Sequence, residues 1–92
     1  MQMGDIVRSL RGRDSGRDFL VLGERSGRLL VVDGDLRTVA RPKPKNPRHL
    51  ALVGHLPAER LAGLREGRLP TDAEVRAWLS DVQEGGDADA EG

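Results

Sequence analysis

The sequence predicts a mostly β fold with C-terminal helices: a small five-stranded barrel, two short α-helices and a disordered acidic tail. Three observations predict it. Apolar residues between positions 4 and 40 fall in short runs separated by glycine and charge, a spacing typical of strands. The second half contains helical periodicity, and its last ten residues carry no apolar side chain larger than alanine. A chain of 92 residues has room for one small domain with an extension.

Five apolar runs predict the strands. The runs FLVL and LLVV are apolar at successive positions, so both faces of those strands need apolar contacts. Asp33 and Gly34 follow the third run and predict a two-residue hairpin turn. Five short strands are too few for two good sheets, which favours a small barrel with the helices packed outside it. The five runs are DIVRSL, DFLVLGE, RLLVV, LRTVA and HLALV.

Two helices are predicted in the second half, over PAERLAGLREG and PTDAEVRAWLSDV. The second is the clearer, because its apolar residues recur at i, i+3, i+4 and i+7. Those residues are Val75, Trp78, Leu79 and Val82. Thr71 and Glu74 have the spacing of a capping box at its start. The predicted organisation is therefore a barrel over residues 1–56, a two-helix extension over 57–83 and a disordered acidic tail over 84–92.

Charge is divided unevenly along the chain, although the formal net charge is zero. Residues 1–50 hold eleven Lys and Arg against six Asp and Glu, a balance of +5, and residues 51–92 hold four against nine, a balance of −5. The first half is therefore the candidate for an anionic partner. The sequence contains no cysteine, no apolar run of about 18 residues and no signal peptide. The expected location is therefore the cytoplasm, and no membrane partner is expected.

Residues 4–23, GDIVRSLRGRDSGRDFLVLG, carry the strongest functional signal. A Gly-Asp pair precedes an apolar strand, a basic loop with two glycines follows, and a second apolar strand comes next. This order resembles the KOW motif of ribosomal and transcription proteins. The residues that match the motif are Gly4, Asp5, Val7, Gly12, Gly16 and Val21.

The resemblance extends over roughly residues 1–56. VDGDLR and a basic, proline-containing segment that closes on RHL are similar to the KOW proteins of the archaeal and eukaryotic large ribosomal subunit, and to short bacterial KOW-domain proteins. The transcription branch of the motif usually has a glycine where this chain has Phe19, which favours the ribosomal branch. The resemblance implies an SH3-like barrel that binds RNA and is associated with the ribosome. The helices and the acidic tail have no counterpart in it.

The basic loop RGRDSGR offers a mechanism for binding phosphate. Gly12 and Gly16 can adopt positive φ and approach a phosphodiester closely, because they have no Cβ. Arginine guanidinium groups bind phosphate oxygens in pairs. Asp14 and Asp18 are expected to hold these arginines in place. The alternative is a solvated hairpin whose charges pair only with one another.

A second basic segment, ARPKPKNPRH over residues 40–49, contains three prolines and no carboxylate. Because proline cannot donate to a strand ladder, we expect this arm to leave the sheet in an extended, polyproline-like form. The alternative is a solvated crossover loop or a localisation-like basic run. We expect the arm and the basic loop to lie together as one basic face. The predicted RNA-binding residues are Arg11, Gly12, Arg13, Gly16, Arg17, Arg41, Lys43, Lys45 and Arg48.

The aromatic content narrows the kind of RNA. Readers of single strands stack bases on aromatic side chains, whereas Phe19 and Trp78 are both expected in the core. Structured RNA is therefore the predicted partner, specifically ribosomal RNA with possible ribosomal proteins, and the chain is expected to be a monomer. The alternative is a protein-interaction module that has an SH3-like barrel and no nucleic-acid role.

The sequence indicates neither catalysis nor a cofactor. His49 and His55, with Asp33 and Asp35, lack the spacing of metal ligands. No hydroxyl adjoins a histidine, and no paired carboxylates stand in an apolar setting. We therefore expect no enzyme activity, no catalytic residue and no metal site.

Overall fold

Five antiparallel strands form one sheet in the order β4-β3-β2-β1-β5, and two helices follow them. The structure is a computed structural model that describes residues 1–82 and, beyond them, only the extent of the last helix. The strands are β1 (Asp5–Ser9), β2 (Asp18–Arg25), β3 (Arg28–Val32), β4 (Lys43–Lys45) and β5 (Leu50–His55). The helices are α1 (Ala58–Arg65) and α2 (Asp72–Glu91), and a single 3₁₀ turn (Pro47–His49) joins β4 to β5.

The predicted class, mostly β with five antiparallel strands and two C-terminal helices, is confirmed. Four of the five predicted strands occur at their expected places in the sequence. The disorder predicted for the tail, residues 84–92, is not confirmed, because α2 continues to Glu91.

The two faces of the sheet carry two separate apolar clusters, because successive strand residues point to opposite sides. One cluster contains only residues of the strands, so the strands themselves enclose that face, as they would in a small barrel. Its buried members are Val7, Phe19, Val21, Leu29, Val31 and Leu50. Phe19 is fully buried there, as predicted.

The other face of the sheet is covered by the helices. Ile6, Leu20 and Val32 of the strands form one cluster with Val75 and Leu79 of α2. Trp78 is only partly buried at the margin of this cluster. The outside packing predicted from the doubly apolar runs FLVL and LLVV is therefore confirmed.

The capping box at the start of α2 forms as predicted. The Thr71 amide donates to Glu74 Oε1 at 3.0 Å, and the Glu74 amide donates to Thr71 Oγ1 at 3.1 Å. Two amides that lack partners within the helix are thereby satisfied. The box fixes where α2 begins, and hence which of its residues face the sheet.

The predicted strand LRTVA is wrong, and so is the two-residue hairpin at Asp33 and Gly34. Residues 33–42 form an irregular loop, here called the Asp33 loop. Asp33 Oδ1 accepts the amides of Asp35 and Arg37 at 3.0 and 2.8 Å, and the Arg37 carbonyl accepts the amides of Asp33 and Gly34. These local hydrogen bonds compete with strand pairing for the backbone groups of the run.

The proline arm does not leave the sheet at its centre, in contrast to the prediction. Lys43–Lys45 pairs with β3, with Leu29 opposite Lys45 and Leu30 opposite Pro44. Proline is tolerated there because β4 is an edge strand, on which the missing N–H can face away from the ladder. The sheet thus takes its fourth strand from the arm.

The burial pattern of α2 leads to a stability prediction. Replacing Leu79 by alanine should lower the free energy of unfolding by about 3 kcal/mol, because the buried leucine leaves a cavity between helix and sheet. The exposed neighbour Ser80, changed to alanine, should stay within about 0.5 kcal/mol of the parent. Urea unfolding of both variants is the measurement. Equal stabilities would show that α2 does not pack on the sheet.

Candidate nucleic-acid interface

The basic loop, residues 10–17, connects β1 to β2 and has the backbone that its glycines predict. Gly12 and Gly16 both have φ of +86° and are exposed. No atom lies within 4 Å of the position that a Cβ on Gly16 would occupy, so this glycine is required by backbone conformation and not by packing. At the base of the loop the Gly16 amide donates to the Ser9 carbonyl at 2.8 Å.

A buried ion pair fixes the basic loop to the edge strand. Lys45 Nζ lies 2.7 Å from Asp14 Oδ1 and 2.6 Å from Ser9 Oγ, and it is 5.6 Å from the centre of the Phe19 ring. Ser9 Oγ in turn lies 2.9 Å from Asp14 Oδ1. Since Lys45 is only 8% exposed, this contact holds the loop from inside the fold.

The expectation that the Lys45 side chain is exposed is therefore wrong. Lys45 lies opposite the buried Leu29 of β3 and shares its face of the sheet, so its side chain points inward. Lys43 shares that face at the end of the strand and reaches within 3.8 Å of Asp14 Oδ2, while its side chain stays 36% exposed. The two lysines of one short strand thus have different roles.

Asp14 of the basic loop and Asp18, the first residue of β2, hold different partners from those predicted. Asp14 binds the two lysines of β4, and within residues 1–82 it pairs with no arginine. Asp18 binds Arg8, with Arg8 Nε 2.8 Å from Asp18 Oδ1, and Arg8 was not among the predicted site residues. The sequence could not show these pairs, because β4 and β1 reach the loop only in the folded chain.

Arg17 connects the basic loop to the Asp33 loop. Its Nη1 donates to Asp33 Oδ2 at 2.7 Å, and Asp35 Oδ2 lies 3.9 Å away. Asp33 is buried, whereas the Arg17 side chain is 40% exposed. The guanidinium group is therefore anchored on one side and open to solvent on the other.

The carboxylates of Asp14 and Asp33 are held in the charged form. Burial raises the pKa of Asp14, but the hydrogen bonds and charge of Lys45 and the hydrogen bond of Ser9 outweigh it, so the pKa lies below its usual value. Burial likewise raises the pKa of Asp33, and two backbone amides together with Arg17 outweigh it. Both loops are thus tied down by charged groups at neutral pH.

Two adjacent pockets bring the basic side chains together. The first, of 320 Å³, is lined by Arg13, Asp14, Arg17, Phe19, Asp33, Leu36, Arg37 and Lys43. The second, of 460 Å³, is lined by Arg11, Gly12, Asp14, Arg28, Lys43, Pro44, Lys45, Asn46 and His49. Asp14 and Lys43 belong to both. We call the exposed or half-exposed cations of the two pockets the basic face: Arg11, Arg13, Arg17, Arg28, Arg37 and Lys43.

The basic face agrees only in part with the predicted site. The loop arginines and Lys43 come together, as expected, whereas Arg41 and Arg48 are exposed but line neither pocket. Sequence reasoning missed Arg28 and Arg37. Arg28 stands directly after the RSG turn, and this position beside a turn could have indicated an exposed cation. Arg37 was missed because it lies in LRTVA, which was wrongly predicted as a strand.

The described residues offer few other groups for binding chemistry. Phe19 is buried and Trp78 is half-buried, so within residues 1–82 no aromatic ring is fully open to stack on a base. The same residues contain no cluster of three side chains suited to bind a metal. In the part of the chain that the structure describes, neither helix has the length and apolar character to cross a membrane.

Comparison with known families finds no family model that matches the chain, and no curated protein matches it significantly.

The ion pair predicts different costs for the two lysines of β4. Changing Lys45 to methionine should lower the free energy of unfolding by about 3 kcal/mol, because Asp14 would keep a buried charge without its main partner. Lys43→Met, in the same strand, should cost less than about 1 kcal/mol, since that ion pair is long and partly exposed. Chemical unfolding compares the two. Equal losses would show that Lys45 does not hold the loop.

The lowered pKa values of Asp14 and Asp33 predict a loss of stability in acid. An aspartate in an unfolded chain titrates near about pH 3.9, so above that pH their contribution is fully present, and it disappears as pH falls through the lower folded pKa. Urea unfolding between about pH 5 and pH 2 should show this decline. It should be shallower in Asp33→Asn, and an equally steep decline would contradict the lowered pKa.

Proposed function

We propose that this chain binds structured RNA through the basic face. The observation that carries the proposal is that a buried ion pair fixes the basic loop, while cations on the same loop are exposed to solvent. Asp14 and Lys45 neutralise each other inside the fold, whereas Arg11 and Arg13 on the same loop are exposed and have no ion pair within the described residues. Charges held in place and uncompensated are those that gain most from a polyanion.

The geometry favours contacts to phosphate over contacts to bases. Arg11 and Arg13 flank Gly12, where the backbone has positive φ and little side-chain bulk. Such a turn can approach a phosphodiester while the flanking guanidinium groups bind its oxygens. Contacts of this kind position an RNA without reading its sequence.

The scarcity of open aromatic rings favours folded RNA over single strands. Proteins that bind single strands stack successive bases on aromatic side chains, and each stack contributes about 1–3 kcal/mol. Phe19 lines the first pocket but is fully buried, and Trp78 is half-buried on the helical side and lines neither pocket of the basic face. Phosphates and 2′-hydroxyls of a structured RNA are then the groups that this surface can bind.

We further propose that the sheet is an SH3-like barrel of the KOW type, with ribosomal RNA as its partner. Support comes from the position of the basic loop between β1 and β2 and from the positive φ of Gly12 and Gly16, both of which suit the glycine pattern of the motif. Association with the ribosome in the cytoplasm follows from the resemblance alone. Footprinting on ribosomal subunits with and without the protein tests it.

An alternative function, binding of a partner protein, has one observation in its favour. Leu52 and Val53 are 57% and 37% exposed on β5, which is an edge strand. Exposed apolar side chains on a sheet edge can pair with another chain. Leu52→Lys should leave RNA binding unchanged if our proposal holds, and loss of RNA binding in this variant would assign the interaction to the edge.

The salt dependence of RNA binding gives the direct test of the basic face. If about four phosphates are neutralised, log affinity should fall against log salt with a slope of about −4, taking the duplex coefficient. Reversing Arg11 and Arg13 to glutamate should remove about two contacts, flatten the slope by about 2 and weaken binding at least about tenfold. Fluorescence anisotropy with a labelled ribosomal RNA fragment measures both quantities.

A matched control keeps the total charge equal. Arg65→Glu with Arg68→Glu makes the same charge change at the end of α1 and in the exposed turn after it, where neither residue lines a pocket of the basic face. This control should retain most of the affinity and of the slope, and circular dichroism should show both doubles folded. Equal weakening in the two doubles would mean that RNA responds only to net charge, and the proposed interface would be abandoned.

A further inference from the structure

The first pocket of the basic face has cations that no carboxylate neutralises. Its two aspartates are already paired, Asp14 with Lys45 and Asp33 with Arg17. Arg13 and Arg37 have no ion pair within residues 1–82, and Lys43 makes only a long one to Asp14. The pocket is therefore concave and carries more basic than acidic side chains. Asp14 Oδ1 and Asp33 are paired, and Asp14 Oδ2 is buried without a hydrogen-bond partner in the described residues.

We propose that this pocket binds the phosphate of a single nucleotide, with Arg13, Arg37 and Lys43 around the phosphate and Leu36 against the sugar or base. This inference rests on the proposed function and deepens it, because it gives one nucleotide of the RNA a defined site. The phosphate can belong to a nucleotide within an RNA chain or to a free mononucleotide, and the experiment below separates these two sources.

The size and lining of the pocket suit a ligand of this class. Its volume of 320 Å³ is at the lower end of the range of small-molecule sites, which run from about 300 to 1,000 Å³. Leu36 is 67% exposed at its margin and offers an apolar surface beside the charged groups. A ligand with a phosphate for the cations and a sugar or base for Leu36 matches this lining. An anion without such a group would leave Leu36 without a contact.

Arg37 is held in place for this role by its backbone and not by its side chain. Its amide donates to Asp33 Oδ1 at 2.8 Å, and its carbonyl accepts the Gly34 amide at 3.0 Å. The side chain makes no hydrogen bond within the described part of the chain and is free to bind a ligand. Substituting this side chain should therefore leave the Asp33 loop intact.

Helix α2 keeps the Asp33 loop at the pocket. Asp72 Oδ1 of α2 accepts the Val39 amide at 2.8 Å, and Arg76 Nη1 donates to the Gly34 carbonyl. These two contacts fix both ends of the segment that contains Leu36 and Arg37. The helical extension thus acts as a support for the nucleotide pocket, in addition to covering the apolar face of the sheet.

Nuclear magnetic resonance provides the first arm of the test. Titration of the folded protein with AMP should shift the signals of Arg37, Arg13 and the Asp33 loop in a saturable way, whereas adenosine at the same concentrations should not. Arg37→Glu should abolish the AMP response. Arg41→Glu, an equal charge change four residues further along that lines neither pocket, should retain it.

RNA binding of the same two variants forms the second arm. Arg37→Glu should weaken binding of a structured ribosomal RNA fragment about tenfold and flatten its salt slope by about one contact, whereas Arg41→Glu should change affinity less than about threefold. An RNA effect specific to Arg37 with no AMP response identifies the ligand as a nucleotide within RNA. An AMP response without any RNA binding supports the pocket and overturns the RNA function.

Three results would overturn the pocket itself. In the first, Arg37→Glu and Arg41→Glu weaken RNA binding equally and AMP shifts no signals of the parent protein. The proposed RNA function would then stand without the nucleotide pocket. Another is an AMP response that persists in Arg37→Glu. The third is inorganic phosphate binding as tightly as AMP, which would show a general anion site to which Leu36 adds nothing.

Discussion

The ion pair between Lys45 and Asp14 is the contact on which the rest of the candidate site depends. It joins the last residue of β4 to the middle of the basic loop, across a large separation in sequence and almost out of contact with solvent. A buried pair of this kind adds little net stability compared with apolar packing, but it tolerates few alternative geometries. Its effect is therefore to select one loop conformation, so the backbone that carries the arginines bordering Gly12 is already ordered in the free protein.

A second set of contacts centred on Asp33 extends the same principle to the neighbouring loop. One carboxylate oxygen organises the backbone of the Asp33 loop, and the other binds Arg17 of the basic loop. Asp72 and Arg76 of α2 then attach that loop to the helices. Contacts between distant residues therefore connect the sheet, both loops and α2 around the basic face.

Overall charge is a poor guide to such a site, because pairing decides which charges remain available. The chain is formally neutral, and several of its cations are consumed by internal carboxylates: Lys45 by Asp14, Arg17 in part by Asp33, and Arg8 by Asp18. Among the cations without an ion pair in the described residues, Arg11, Arg13, Arg28 and Arg37 line two adjacent pockets. A neutral protein can therefore present a positive surface to a polyanion, provided that its acidic groups are turned inward or placed elsewhere.

The spacing of apolar residues in the sequence determined the strands β1, β2, β3 and β5 and the packing of α2 on the sheet. Residue identity at neighbouring positions determined the capping box of α2 and the positive φ of Gly12 and Gly16. Tertiary structure decided the rest. Lys43–Lys45 is a strand because it pairs with β3 at the edge of the sheet. The run LRTVA is not a strand, because Asp33 Oδ1 accepts the amides of Asp35 and Arg37 and holds this segment in a loop. Lys45 turned inward and Arg37 reached the pocket for the same reason: both depend on pairing and loop contacts between distant residues, which periodicity and composition do not encode.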